Sequence, residues 1–106
     1  MDLKRVEKYS IYIGLLDMDS YEEIITVDKF RQILEEYCKN KKIAFSLSLL
    51  RGGYSHGKGY ATENSLLIEL IGIDHDSAER MALSLKKKVN TDSVMVTREY
   101  IESVIV

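Results

Sequence analysis

Between Tyr9 and Leu16 the chain alternates, with Tyr9, Ile11, Ile13 and Leu15 on one side and Ser10, Tyr12 and Gly14 on the other. A period of two is that of a β-strand with one face against a core. The polar stretch Asp17–Glu23 then reads as a loop. Thr26 is a candidate cap for a helix running to about Lys39, in which Val27, Phe30, Ile33, Leu34, Tyr37 and Cys38 share one face. Asn40 is its expected stop. Ile43, Phe45, Leu47 and Leu49 restore the period of two and predict a second strand. Arg51–Ala61 holds four glycines and reads as a loop or a wide hairpin connection. Leu66, Ile68 and Leu70 give the core face of a third strand, with Glu63, Ser65, Leu67, Glu69 and Ile71 opposite. Asp76 followed by Glu79 resembles a capping box, and Ala78, Met81, Ala82, Leu85 and Val89 continue as a second helical stripe. Ser93–Thr97 predicts a fourth strand, with β-branched Val94 and Val96.

The order β-α-β-β-α-β, closed by two right-handed crossovers into one sheet, predicts an α+β ferredoxin-like sandwich over residues 1–106. Each helix has a single apolar stripe, so both are expected on one face of an antiparallel sheet. The other face is then open. Tyr12, Leu16, Leu50, Leu67 and Ile71 are assigned to it, an apolar set that predicts burial in a homo-oligomer. The tail Tyr100–Val106, ending Val104-Ile105-Val106, is expected to add as a strand to a neighbouring copy.

A chain of 106 residues with 45% hydrophobic and 30% charged residues has the size and composition of one globular domain. Its formal net charge is −2, so no bulk field favours a nucleic-acid backbone. The clusters Lys39/Lys41/Lys42 and Lys86/Lys87/Lys88 fall at helix ends, where cations complement the dipole. Cys38 is the only cysteine, so no disulfide forms within the chain, and its place on the apolar helix face predicts a packing role. No apolar run is long enough to span a membrane, and the charged N-terminus lacks the apolar core of a signal peptide, so a cytoplasmic location is expected.

Candidate chemistry concentrates in the Gly52–Glu63 segment. Gly52 and Gly53 leave space for a ligand, Tyr54 offers a hydroxyl, and Glu63 is expected to open the third strand. The spacing of a phosphate-binding loop is missing. His56 and His75 have no metal-ligand spacing; His56 suits general acid–base work, and His75 reads as a helix-start residue. No serine or cysteine triad is visible. Asp17-Met18-Asp19 lacks the further oxygen ligands of a calcium loop. No metal or cofactor is expected.

The Gly53-Tyr54 turn, the polar stretch leading to Glu63, and the acidic residue before small and apolar positions in Asp92-Ser93-Val94-Met95-Val96 together resemble the S-adenosylmethionine lyases. These include the phage enzymes and their relatives in type III CRISPR loci that degrade an adenylated S-adenosylmethionine (SAM-AMP) signal. The resemblance implies a homotrimer with its small-molecule substrate between subunits. It also implies a lyase reaction in which the substrate's carboxylate attacks its own γ-carbon and expels a neutral thioether. Tyr54 and Glu63 match the family's active-site tyrosine and glutamate and would orient the substrate's amino group. By the same resemblance Tyr12 would stack on adenine or meet the cation. Ser55 and His56 are further candidates for substrate contact, and Lys58 or Arg51 would meet the extra phosphate of an adenylated substrate.

Two other readings use the same features. A PII-like oligomer would hold a nucleotide at this segment without turnover. A protein-interaction module would use the open sheet face and the tail.

Overall fold

The computed structural model of the chain describes residues Met1–Val106. Its elements run β1 (Lys4–Gly14), α1 (Val27–Lys41), β2 (Ser46–His56), β3 (Gly59–Ile71), α2 (His75–Val89) and β4 (Val94–Ser103). The strands form one antiparallel sheet in the order β2-β3-β1-β4. This is the α+β ferredoxin-like arrangement that the alternation predicts. The core lies between sheet and helices: Tyr9, Ile11 and Ile13 of β1 and Leu66, Ile68 and Leu70 of β3 meet Phe30, Leu34 and Cys38 of α1 and Met81, Leu85 and Val89 of α2. Burial of these side chains is the main favourable term in folding. None of the helices is long and apolar enough to cross a membrane.

Both helices start on an oxygen cap. Thr26 accepts from the Lys29 N–H, and Asp74 accepts from the Ser77 N–H. The second start is therefore Asp74, not Asp76, and His75 occupies the first helical position. α1 ends at Lys42, in the left-handed conformation, two residues beyond the expected Asn40. Lys86–Lys88 fill the last turn of α2, where their charge faces the helix dipole.

Larger differences lie at the strand ends. β1 begins at Lys4, and Lys4–Glu7 pair only with Tyr100–Ser103 of β4. The chain end expected to join a neighbour thus extends its own β4 and leaves only Val104–Val106 without strand structure. At the opposite corner, the glycine-rich segment is not a loop. Its residues continue β2 and β3 as a long hairpin paired through Gly52↔Glu63, Gly53↔Thr62, Tyr54↔Ala61 and Ser55↔Tyr60. The turn is only Gly57-Lys58, and Gly59 supplies the positive φ of 127° that closes it. The two arms stretch the molecule to 51 × 27 × 22 Å.

Residues directly paired across antiparallel strands share a face. The face away from the helices therefore carries rows such as Ser48–Leu67–Tyr12–Met95 and Leu50–Ser65–Gly14. Leu50, Ile71 and Met95 are exposed there. Leu16 is not part of it: it is buried beyond the end of β1, in a bridge with Glu23. Lys8, Glu69 and Glu99 form an ion-paired group on this face, so it is half polar rather than uniformly apolar.

Candidate functional site

A cavity of about 300 Å³ opens on the helix-free face, where β1, the root of the β2–β3 hairpin and the start of β4 converge. Its floor is bare backbone and one small side chain, from Gly14, Gly52, Gly53 and Ser65. Tyr12, Tyr54 and Met95 contribute larger side chains, and Glu63, Asp92 and Ser93 supply polar groups. The cavity wall contains two carboxylates and no lysine, arginine or histidine.

Glu63 is held from three sides. It lies in the interior of β3, not at its start, with only 9% of its surface exposed. Its register partner on β2 is Gly52, and on β1 its carboxylate occupies the space where a Gly14 side chain would begin. Two glycines therefore open a slot for one glutamate. The Leu16 backbone N–H donates to Glu63 Oε2 at 2.8 Å. Burial pushes the Glu63 carboxyl above its ordinary pKa; the Leu16 bond opposes this, the charge of Glu23 adds to it, and Arg51 opposes it from a distance. The carboxyl keeps one charge-assisted bond in a place that has little other solvation.

Tyr54 lies one row further out on the same face. Its phenol is raised above the usual value by burial first, then by the negative fields of Glu63, Tyr21 and Asp92. It therefore stays protonated at neutral pH and keeps its O–H as a donor. Beyond it, His56 stacks on Tyr21 with ring centroids 4.4 Å apart, and the Lys58 ammonium sits 5.0 Å from the Tyr21 ring centroid. This aromatic–cationic group joins the hairpin to Tyr21 of the β1–α1 loop, next to Tyr54.

The seven side chains singled out in the sequence divide cleanly. Tyr12, Tyr54 and Glu63 line the cavity. His56 shares their face but lies in the hairpin, where its Nδ1 accepts from the Lys58 N–H. Lys58 sits in the turn over Tyr21. Arg51 and Ser55 alternate onto the other face, as the period of two requires once the segment is a strand. Arg51 donates to Thr62 Oγ1 at 3.0 Å and Asn64 Oδ1 at 3.5 Å, away from Glu63. Gly14, Ser65, Ser93 and Met95 complete the cavity without having been singled out as site residues. Gly14 carried a signal, as the one glycine in a strand otherwise made of larger residues.

Asp17 is buried but not available to a metal. Its Oδ2 accepts from the Asp19 and Ser20 N–H groups at 3.0 Å each and from Ser20 Oγ, and its Oδ1 accepts from Asn90 Nδ2 at 2.7 Å. These donors, Asn90 first, hold its carboxyl below the ordinary value. No group of three or more histidine, cysteine, aspartate or glutamate side chains is arranged to hold a metal ion.

No family model and no curated protein matches the chain. Among solved structures, the fold is similar to a phage SAM lyase in its apo state. The TM-score is 0.72, with 18% identity over 95% of this chain and 90% of that one. A phage SAM lyase in complex with S-methyl-5′-thioadenosine is similar at a TM-score of 0.69, with 19% identity over 94% and 90%. The fold is also similar to CPII from Thiomonas intermedia K12, a nitrogen regulatory PII-like protein bound to ADP, AMP and bicarbonate. There the TM-score is 0.55, with 11% identity over 98% of this chain and 100% of that one.

Proposed function

We propose that the chain is a carbon–sulfur lyase acting on S-adenosylmethionine or its adenylated derivative. The observation that carries this reading is the charge of the cavity: two carboxylates and two tyrosines, with no cation among its lining residues. Such a wall attracts a positively charged ligand with apolar parts. A sulfonium beside an α-ammonium meets that description, and a free nucleoside diphosphate does not. The similarity to structures of phage SAM lyase, one of them in complex with S-methyl-5′-thioadenosine, supports the same choice. The PII-like alternative, with an ADP-type ligand, has no cation in the cavity lining and only Lys58, outside it, to meet its phosphates.

In the proposed reaction a substrate carboxylate oxygen forms a bond to its own Cγ as the Cγ–S bond breaks. The electron pair goes to sulfur. The products are homoserine lactone and a neutral methylthioadenosine, or its adenylated counterpart. No proton moves and no water is consumed. Both reacting charges vanish in the transition state, so a water-poor pocket that holds the folded conformer is sufficient catalysis. Ionised Glu63 attracts the ammonium and sulfonium, Tyr54 donates its O–H to the substrate, and the Tyr12 ring takes the adenine or the cation. Asp92, on the wall formed by the start of β4, adds a second negative group.

The cavity is open on the side away from the helices, and Leu50, Ile71 and Met95 are exposed on that same face. A homotrimer that covers this face closes the cavity and excludes water from it. An extra phosphate on an adenylated substrate that extends along the hairpin would meet Lys58 at its turn, outside the cavity lining. Incubating the protein with S-adenosylmethionine and, separately, with its adenylated form tests the reading by chromatography. Methylthioadenosine or its adenylated form should appear with homoserine lactone. Consumption of neither substrate at micromolar protein overturns it.

A further inference from the structure

The two sides of the cavity come from segments far apart in sequence. One contains Glu63 with the Leu16 N–H behind it, at the end of β1; the other contains Asp92 and Ser93, before β4. The β1–β4 ladder joins them as far as the Ile13–Val94 pair, and beyond its end a polar junction continues the link. Asn90 caps α2 with a left-handed φ of 59°, two residues before Asp92. Its side-chain amide donates to Asp17 Oδ1 at 2.7 Å and to Asp19 Oδ2 at 3.0 Å. Its carbonyl accepts from the Met18 N–H at 2.9 Å. Asp17 in turn organises its own loop through the Asp19 and Ser20 N–H groups, and its backbone exchanges bonds with Tyr21 and Glu22. Both hydrogen bonds donated by the Asn90 side-chain amide go to the segment that follows Leu16, while its backbone N–H closes α2 on the Lys86 carbonyl.

We propose that Asn90 and Asp17 are positioning residues that set the spacing between the Glu63–Leu16 side and the Asp92–Ser93 side of the ligand cavity. The reasoning is geometric. Leu16 lies just beyond the β1 ladder: on its N-terminal side the Leu15 N–H donates to the Asn64 carbonyl of β3 at 3.1 Å, and on its C-terminal side its direction depends on how Asp17 is held. The next residue, Asp17, is tied to the end of α2. α2 is packed into the core through Met81, Leu85 and Val89, and so is a rigid reference. The junction transfers that rigidity to the N–H that holds Glu63 and, through Thr91, to Asp92. Thr91 is itself buried and bonded back to the Lys86 carbonyl. Sites that position a reacting group depend on such supporting bonds, and a misplacement of about 1 Å costs up to about a hundredfold in rate.

The role rests on the lyase reading for its consequence in turnover, but not for its consequence at Glu63. Glu63 faces the Leu16 N–H and feels the charge of Glu23 from the β1–α1 loop and, from the opposite face of the sheet, of Arg51 from β2; Tyr54 of β2 and Asp92 before β4 share its cavity. The test therefore has one readout independent of activity, the carbon-13 titration of the Glu63 carboxyl by NMR. Its second readout is affinity for methylthioadenosine. Asn90→Asp sets a carboxylate against Asp17 and Asp19. Asn90→Gly keeps the positive φ and removes the amide without adding charge. Both should raise the Glu63 titration point, because the Leu16 bond that lowers it is loosened, and both should weaken methylthioadenosine binding by about tenfold. The double exchange Asp17→Asn with Asn90→Asp restores one amide–carboxylate bond and should recover both readouts.

The proposal is overturned if the single variants lower the melting temperature while leaving the Glu63 titration unchanged. It is equally overturned if the double exchange fails to rescue a folded protein. If wild-type protein neither binds methylthioadenosine nor consumes S-adenosylmethionine while the titration behaves as expected, the lyase reading fails and the positioning role stands.

Discussion

The carboxylate of Glu63 fills the space in which a side chain on Gly14 would begin. Gly14 has no positive φ, so its backbone accepts any residue, and only this close approach requires glycine. Gly14→Ala should therefore leave the fold intact and evict the carboxylate, breaking its bond to the Leu16 N–H. Turnover of S-adenosylmethionine should fall about a hundredfold, as expected for a displaced positioning group. Circular dichroism and thermal melting should remain close to wild type. A fully active Gly14→Ala variant would remove Glu63 from the site.

The raised pKa of Glu63 has opposite signs in stability and in activity. Its folded pKa lies above its unfolded one, so its contribution to stability is fully present below the unfolded value and is lost as pH rises through the folded value. Glu63→Gln removes that loss. The stability difference, variant minus wild type, should grow in favour of glutamine as pH rises through this window, read from urea unfolding at a series of pH values. Activity should run the other way. Under the lyase proposal the ionised form attracts the sulfonium, so the acid limb of the wild-type rate profile should be displaced upward from the ordinary glutamate value, and Glu63→Gln should be nearly inactive throughout. Asp17 and Asp74, whose carboxyls are held low by hydrogen bonds, contribute the usual pattern, in which stability is lost as pH falls.

The element order was legible because each core face repeats at its own period. Tyr9, Ile11 and Ile13 can be read only as a strand, and Phe30, Leu34 and Cys38 only as a helix face. The extent of the hairpin was not legible, because Arg51–Ala61 reads as a loop or a wide hairpin connection rather than as paired strand. Gly52 and Gly53 instead hold extended backbone, and their missing side chains make room for neighbours: Gly52 lies opposite Glu63, and a Cβ on Gly53 would meet the Tyr60 ring. Arg51 and Ser55 enter the candidate site through the family resemblance, and in a loop they have no assigned face to exclude them. Lys4–Glu7 were missed for a different reason. They pair with Tyr100–Ser103 outside the helix-covered region, so no core imposes a hydrophobic alternation on them. The site itself was visible only in part. Tyr54 and Glu63 stood out by type and Gly14 by its place in a strand of larger residues, whereas the Asn90 contacts to Asp17 and Asp19 leave no local pattern.

Cys38 is 2% exposed at the core side of α1, and burial pushes its thiol up to about 11. A thiol in that state has almost no thiolate at neutral pH and no path to a reagent. The native protein should not react with a charged aromatic disulfide over hours at neutral pH, while the same protein in urea should release one equivalent of chromophore within minutes. Rapid labelling of the native form would mean that α1 opens locally at little cost.

Tyr54 and Arg51 are three residues apart, and the structure assigns them to opposite faces of β2. Tyr54→Phe keeps the ring on the cavity wall and removes only the hydroxyl. Losing one hydrogen bond of about 1 kcal/mol should reduce kcat/KM for S-adenosylmethionine by about fivefold to tenfold. Arg51→Ala removes the bonds to Thr62 and Asn64 on the helix side. It should soften the hairpin, seen as faster amide exchange there, with KM for S-adenosylmethionine unchanged. Lys58→Ala separates the two substrates. The ammonium stands over Tyr21 at the hairpin turn, outside the lining of the cavity. If it meets the additional phosphate, its removal should raise KM for the adenylated substrate alone, and that KM should lose part of its salt dependence. An equal effect on both substrates would mean that Lys58 acts through the Tyr21–His56 stack instead. An Arg51→Ala variant that loses activity while Tyr54→Phe keeps it would place the reacting centre on the wrong face of the sheet.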